Sequence, residues 1–122
     1  MSLLASVCQL IIALGIYNVW LLRTNKATAW RGGDAKTMEE EFKVYGLSPT
    51  FMKIVGACKL FFATCLLIGI WYPRFAPAPS IVMASLMLAA VIMHARVGDP
   101  VQKALPAASL LLLSLLVAYS AT

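Results

Sequence analysis

Six residues with ionising or strongly hydrogen-bonding side chains stand inside apolar runs, at their ends or, for Glu41, in the polar loop between two of them: Asn18, Glu41, Lys59, His94, Arg96 and Asp99. Together they offer an ammonium, an imidazole, two carboxylates, a guanidinium and a carboxamide. Such groups can hold the polar head of a lipophilic ligand or pass a proton. Lys59 is the most telling. It lies ten residues into an apolar run that starts at Pro49, which at a 1.5 Å rise per residue is about 15 Å deep in a helix. An ammonium near a bilayer midplane costs roughly 2.5–3.5 kcal/mol on insertion scales, so it should face the interior and have a partner. A carboxylate, or the polar groups around Asn18 and His94, is the expected partner. Gly56 and Ala63 share its helical face and would let another helix approach closely.

Depth brings the other residues to the same end. Asn18 falls one helical turn below the end of the first apolar run, and His94 and Asp99 fall at the matching end of the third. With Glu41 they would line one polar pocket above an apolar floor, along which Met83, Met87 and Ala90 continue the His94 stripe. Those residues are equally suited to be soft walls for a flat lipophile or plain core packing. The polar set itself has two readings, hydrogen-bonded glue between helices or a ligand and proton site. No metal centre is expected: Cys8, Cys58 and Cys65 lie inside apolar segments without CxxC or CxxH spacing, and the single histidine excludes a haem held by two. Cys58 and Cys65 are seven residues apart, about 10.5 Å along a helix and too far to bridge. Cys8 and Cys65 share a similar depth and could be bridged, but three buried, inert thiols are the expected state.

The elements that must position these groups follow from composition. The chain has 122 residues, 61% hydrophobic and 12% charged, with a formal net charge of +5 and a mean hydropathy of +0.85. A soluble globule has a charged share about double that. The basic residues form no aromatic-interleaved patch, so nucleic acid is excluded as a partner. Four apolar segments, Leu3 to Leu22, Pro49 to Trp71, Ser80 to Arg96 and Pro100 to Tyr119, each approach membrane-spanning length. Without water in the bilayer they must be helices. The fold class expected is all-α: an antiparallel four-transmembrane-helix bundle, one domain over residues 1–122, with a short amphipathic helix in the first loop. The first segment is expected to be a retained span because no Lys or Arg precedes it and no small-residue cleavage site succeeds it.

Local chemistry marks the boundaries. Ser48-Pro49 and Asp99-Pro100 place a capping side chain before a proline, and Gly98 supplies a left-handed stop. Pro73, Pro77 and Pro79 predict an extended linker between the second and third spans. In the loop from Arg23 to Leu47, Thr37 and Glu40 have capping-box spacing, Gly46 ends the helix, and Met38, Phe42 and Tyr45 give it an apolar face. Glu41 either belongs to a solvated acidic run or points into the bundle mouth. Trp20, Trp30, Trp71 and Tyr72 near span ends are expected as interface anchors. Arg23, Lys26, Arg31, Lys36, Lys43, Lys53, Arg96 and Lys103 flank one membrane face, against Arg74 on the other. The positive-inside rule then makes the first loop cytoplasmic and puts both termini outside.

The third-span end "HARVGDP" (His94 to Pro100) and the adjoining "KALPA" (Lys103 to Ala107), with "YNVW" and "GACKLF" in the first two spans, resemble the DoxX-like family of small four-helix membrane proteins. The resemblance covers nearly the whole chain. It implies a bacterial-type, multi-pass inner-membrane protein, and His94, Arg96 and Asp99 match the family-like terminus. Relatives often carry a glutamate near the position of Lys59. The resemblance also implies either a quinone-type ligand in a redox-associated subunit or an accessory subunit that assists assembly of a larger membrane complex. A proton or solute carrier usually has internal repeats, and no convincing repeat relates the halves.

Overall fold

The computed structural model describes residues 2–26, 28 and 30–121; Met1, Ala27, Ala29 and Thr122, and with them the ends of the expected domain, lie outside the described residues. It is all-helical. Helix α1 (Leu3–Tyr17) starts at Ser2, whose Oγ accepts the Ala5 amide at 3.1 Å, and continues as a π-helical turn over Asn18–Leu22. The Arg23 amide reaches back to the Asn18 carbonyl at 3.0 Å, five residues away. The widened turn rotates the residues beyond it about the helix axis. Trp20 is thereby buried against Phe42 and Gly56 instead of anchoring at the interface, which corrects the sequence expectation.

Helix α2 (Met38–Val44) has the expected capping box: Thr37 Oγ1 accepts from the Glu40 amide at 3.2 Å and Glu40 Oε2 from the Thr37 amide at 3.1 Å. Gly46, at φ 78°, lets the Leu47 amide return to the Phe42 carbonyl at 2.8 Å. Helix α3 (Pro49–Ile68) begins at Ser48, whose Oγ accepts the Phe51 amide at 3.1 Å, and stops three residues short of the expected Trp71. Helix α4 (Pro77–Arg96) differs more. Pro77 and Pro79 open it rather than break it, and Pro73 starts a short 3-10 turn over Pro73–Phe75. In a first helical turn the amides have no partner to lose, so proline's fixed φ favours the helix there. The third span therefore begins earlier than Ser80.

Gly98, at φ 76°, ends α4 as expected, and the Asp99 amide closes the turn on the His94 carbonyl at 3.0 Å. Asp99 does not cap α5 (Val101–Ser120): Pro100 precedes that helix and no side chain caps it. Helices α1, α3, α4 and α5 pack in a closed antiparallel ring, each against the next, while α2 lies on α3. Ile12, Ile16, Leu66, Met83, Met87 and Val117 fill its centre. Gln9, also fully buried, donates to the Leu66 carbonyl at 2.8 Å and ties α1 to the end of α3. Four helical segments are long and apolar enough to cross a membrane. Their outer faces expose large apolar residues such as Leu14, Phe61, Ile81 and Leu112, as a lipid-facing surface must.

The contact between α1 and α3 can be tested at Gly56. A Cβ there would lie 2.5 Å from Trp20 Cζ3, and overpacking of this kind costs about 1–3 kcal/mol. Gly56→Ala is expected to lower the thermal midpoint in detergent, followed by circular dichroism, and an unchanged midpoint would show that the Trp20 ring is free to move aside.

Candidate functional site

The charged end of the bundle is organised around Glu41, which α2 turns inward. One carboxylate oxygen lies 3.2 Å from Arg31 Nη1, and the other accepts from the Tyr45 hydroxyl at 2.8 Å and lies 3.9 Å from His94 Nε2. Glu41 and Arg31 are both buried. Arg31 also donates to the carbonyls of Arg23, Thr24 and Lys26, so it gathers the loop onto the carboxylate. A lone buried charge would be costly, and this pairing is what permits Glu41 to face inward. Of its two expected settings, the bundle mouth is the observed one.

Behind Glu41 stands His94, whose Nδ1 lies 2.7 Å from Asp99 Oδ2. The Tyr45 ring meets the imidazole edge-on, with centroids 5.8 Å apart. The other Asp99 oxygen accepts from the Gly33 amide at 2.9 Å, and Lys103 Nζ donates to the Gly33 carbonyl. The first loop is thus fastened to the α4–α5 turn at one residue's backbone. Burial, with the charge and hydrogen bond of Glu41 added, pushes the Tyr45 phenol far above its ordinary value, so it stays a donor. Burial alone would push the Asp99 carboxyl up. The hydrogen bonds from His94 and Gly33, and the charges of His94 and Lys103, outweigh it and hold the group below its usual range.

Inside this rim lies a partly open cavity of about 660 Å³. Asn18, Glu41, Tyr45 and His94 contribute its polar side; Val55, Leu86, Met87, Ala90 and Leu110 contribute apolar wall. Trp20, Trp30 and Arg31 also line it, so the loop covers part of the space. Lys59 reaches it from α3, with Nζ 5.3 Å from the centroid of the Trp20 ring. Among the described residues no carboxylate lies within 4.0 Å of Lys59. The contact it makes is with an aromatic face, while the expected carboxylate influence comes from Glu41 beyond ion-pair distance.

Four of the six expected residues, Asn18, Glu41, Lys59 and His94, therefore meet in one cavity. Asp99 does not line it and instead orients His94 from behind. Arg96 is exposed and stands apart, because its position on α4 turns away from the bundle. Sequence reasoning missed Arg31 and Tyr45 as members. Arg31 looked like one more basic residue on the charged face, and Tyr45 was placed only as part of an apolar stripe. Its position one helical turn beyond Glu41 was the available signal. All three cysteines are free thiols; Cys8 is buried as expected, whereas Cys58 and Cys65 are only half-buried, and no group of metal-holding side chains occurs among the described residues.

Four spans around a cavity with a polar mouth define an integral membrane protein that contacts lipid on its outer faces. The chain belongs to the DoxX-like family, which it matches over residues 27–117, a range that includes "GACKLF" and "HARVGDP" and leaves "YNVW" outside. No curated protein and no solved structure matches it.

The Asp99 network predicts an acid-sensitive fold. A carboxyl with a depressed folded pKa contributes stability above its unfolded value, ~3.9, and that contribution is lost as pH falls through the folded one. At neutral pH, Asp99→Asn should be less stable than the native chain by about 1–3 kcal/mol. The gap should narrow on acidification; a gap independent of pH in denaturation curves from neutral to strongly acid buffer would remove Asp99's charge from the account.

Proposed function

We propose that the cavity binds a lipophilic molecule with an oxygen-bearing polar head, of quinone type, in a redox-associated membrane subunit. The observation that carries this reading is Lys59: an ammonium that opens onto an apolar-walled cavity, with an indole face beside it and, among the described residues, no carboxylate within ion-pair distance. A head oxygen would accept from Nζ, and Met87, Ala90 and Leu110 would flank a flat ring. A quinone, when bound, supplies electron and proton carriage. The chain's own residues hold the head, exclude water through the loop that bears Trp30, and keep proton-bearing groups, Tyr45 and His94, at the mouth. Asn18, Glu41, Lys59 and His94 are the residues assigned to contact, Asp99 is assigned to positioning, and Arg96 is left out.

Solvent extraction of the purified protein, with quinones measured by their oxidised-minus-reduced spectrum, tests this. Lys59→Met is expected to lose most of the bound lipophile while its thermal stability is equal or higher, because no ion pair is broken. Full retention of lipophile by Lys59→Met would refute the reading. An accessory-subunit role draws on α5, whose most apolar window is only 11% buried and offers a face to a neighbouring chain. Recovery of a stoichiometric protein partner with no extractable lipophile would favour that role.

The same reading treats residues 1–122 as one domain in the inner membrane, with the charged end of the bundle cytoplasmic and both termini outside. Eight of ten basic residues lie at that end. Single cysteines replacing Lys36 and Arg74, in a chain freed of its native thiols, should label from opposite sides of the membrane. Labelling of the Lys36 position by an impermeant reagent in intact cells would invert the arrangement.

A further inference from the structure

The charge inventory of the cavity narrows its ligand. Four basic side chains line it, Arg23, Arg31, Lys59 and Lys103, and Glu41 is the one carboxylate among its lining residues. Arg31 is paired with Glu41. Lys103 is committed to the Gly33 carbonyl, with Asp99 holding the amide of the same residue. Arg23 donates through Nε to Asn18 Oδ1 at 3.1 Å, a neutral acceptor, and Lys59 stands over Trp20. Two cations are thus left outside ion-pair distance of any carboxylate among the described residues, one at the mouth and one deeper in the apolar part, the deeper one feeling Glu41 only at longer range.

We propose that the ligand is an amphiphile with an anionic oxygen head, a carboxylate or phosphate, seated on Lys59 with its hydrocarbon along the methionine-lined wall. An indole face offers no lone pair to the three N–H donors of an ammonium. A neutral carbonyl has two lone pairs to accept with but carries no charge, and so leaves that of the ammonium uncompensated. An anionic oxygen group accepts several donors and also brings the opposite charge, and beside an apolar wall that charge interaction is stronger than in open solvent. Arg23 at the mouth attracts the same head during entry, while Met87 and Met93 adapt to a flexible chain. This rests on the ligand-binding reading above for the cavity and for Lys59, and replaces the neutral quinone-type head with a charged one.

Binding of radiolabelled oleate, oleyl alcohol and decylubiquinone to the full chain in phosphatidylcholine nanodiscs, with empty nanodiscs subtracted, tests it. Oleate is expected to bind at least tenfold more tightly than its alcohol. Lys59→Met should abolish that preference and Lys59→Arg should keep it, with circular dichroism verifying that each variant is folded. Competition by phosphatidylglycerol would identify the head as that of a membrane lipid, and its absence that of a free acid; both keep the anionic head. Equal affinity for oleate and its alcohol, or binding of decylubiquinone alone, overturns the inference and leaves the cavity reading standing. Binding of none of the three defeats both.

Discussion

Glu41 can face the interior of the bundle because Arg31 is brought in with it, and most of the charged end depends on that pair. The loop must fold back far enough for the guanidinium to reach the carboxylate, and its spare donors then collect the carbonyls of Arg23, Thr24 and Lys26. Polar backbone that would otherwise need water is satisfied by the group that neutralises the acid. The cost of desolvating two charges is offset by this density of hydrogen bonds. Tyr45 completes the carboxylate's shell and carries the contact on to His94.

Lys59 shows the opposite treatment of charge. Where Glu41 is satisfied from within the chain, the ammonium on α3 is given an aromatic surface and open space. The π turn at the end of α1 is what makes the difference, since it carries Trp20 to the inside, where Gly56 leaves room for the ring. One irregular turn thus sets both a helix–helix contact and the surroundings of the membrane's most costly side chain.

Much of the framework was legible because its signals are local. Ser48 before Pro49, Thr37 before Glu40 and Gly98 after Arg96 each act within a few residues, and each did what its chemistry requires. Pro77 and Pro79 misled because the same ring that stops a helix in its middle starts one at its first turn. Asp99 resembled a cap, yet its carboxylate had stronger donors in His94 and in Gly33, 66 residues away. Trp20 and Arg31 were misplaced for a related reason. Their settings depend on a register shift and on a loop closure that composition and spacing do not encode.

The fastening at Gly33 has a further consequence. Asp99 and Lys103 grip the amide and carbonyl of the backbone, not a side chain. Closure of the loop and the chemistry of its inward surface are therefore separable: positions such as Thr28 and Trp30, which line the cavity, can change identity while the same backbone remains clasped. A bundle built in this way can keep one mechanical closure and exchange the surface it presents to its guest, so that selectivity diverges within the scaffold without renegotiating the fold.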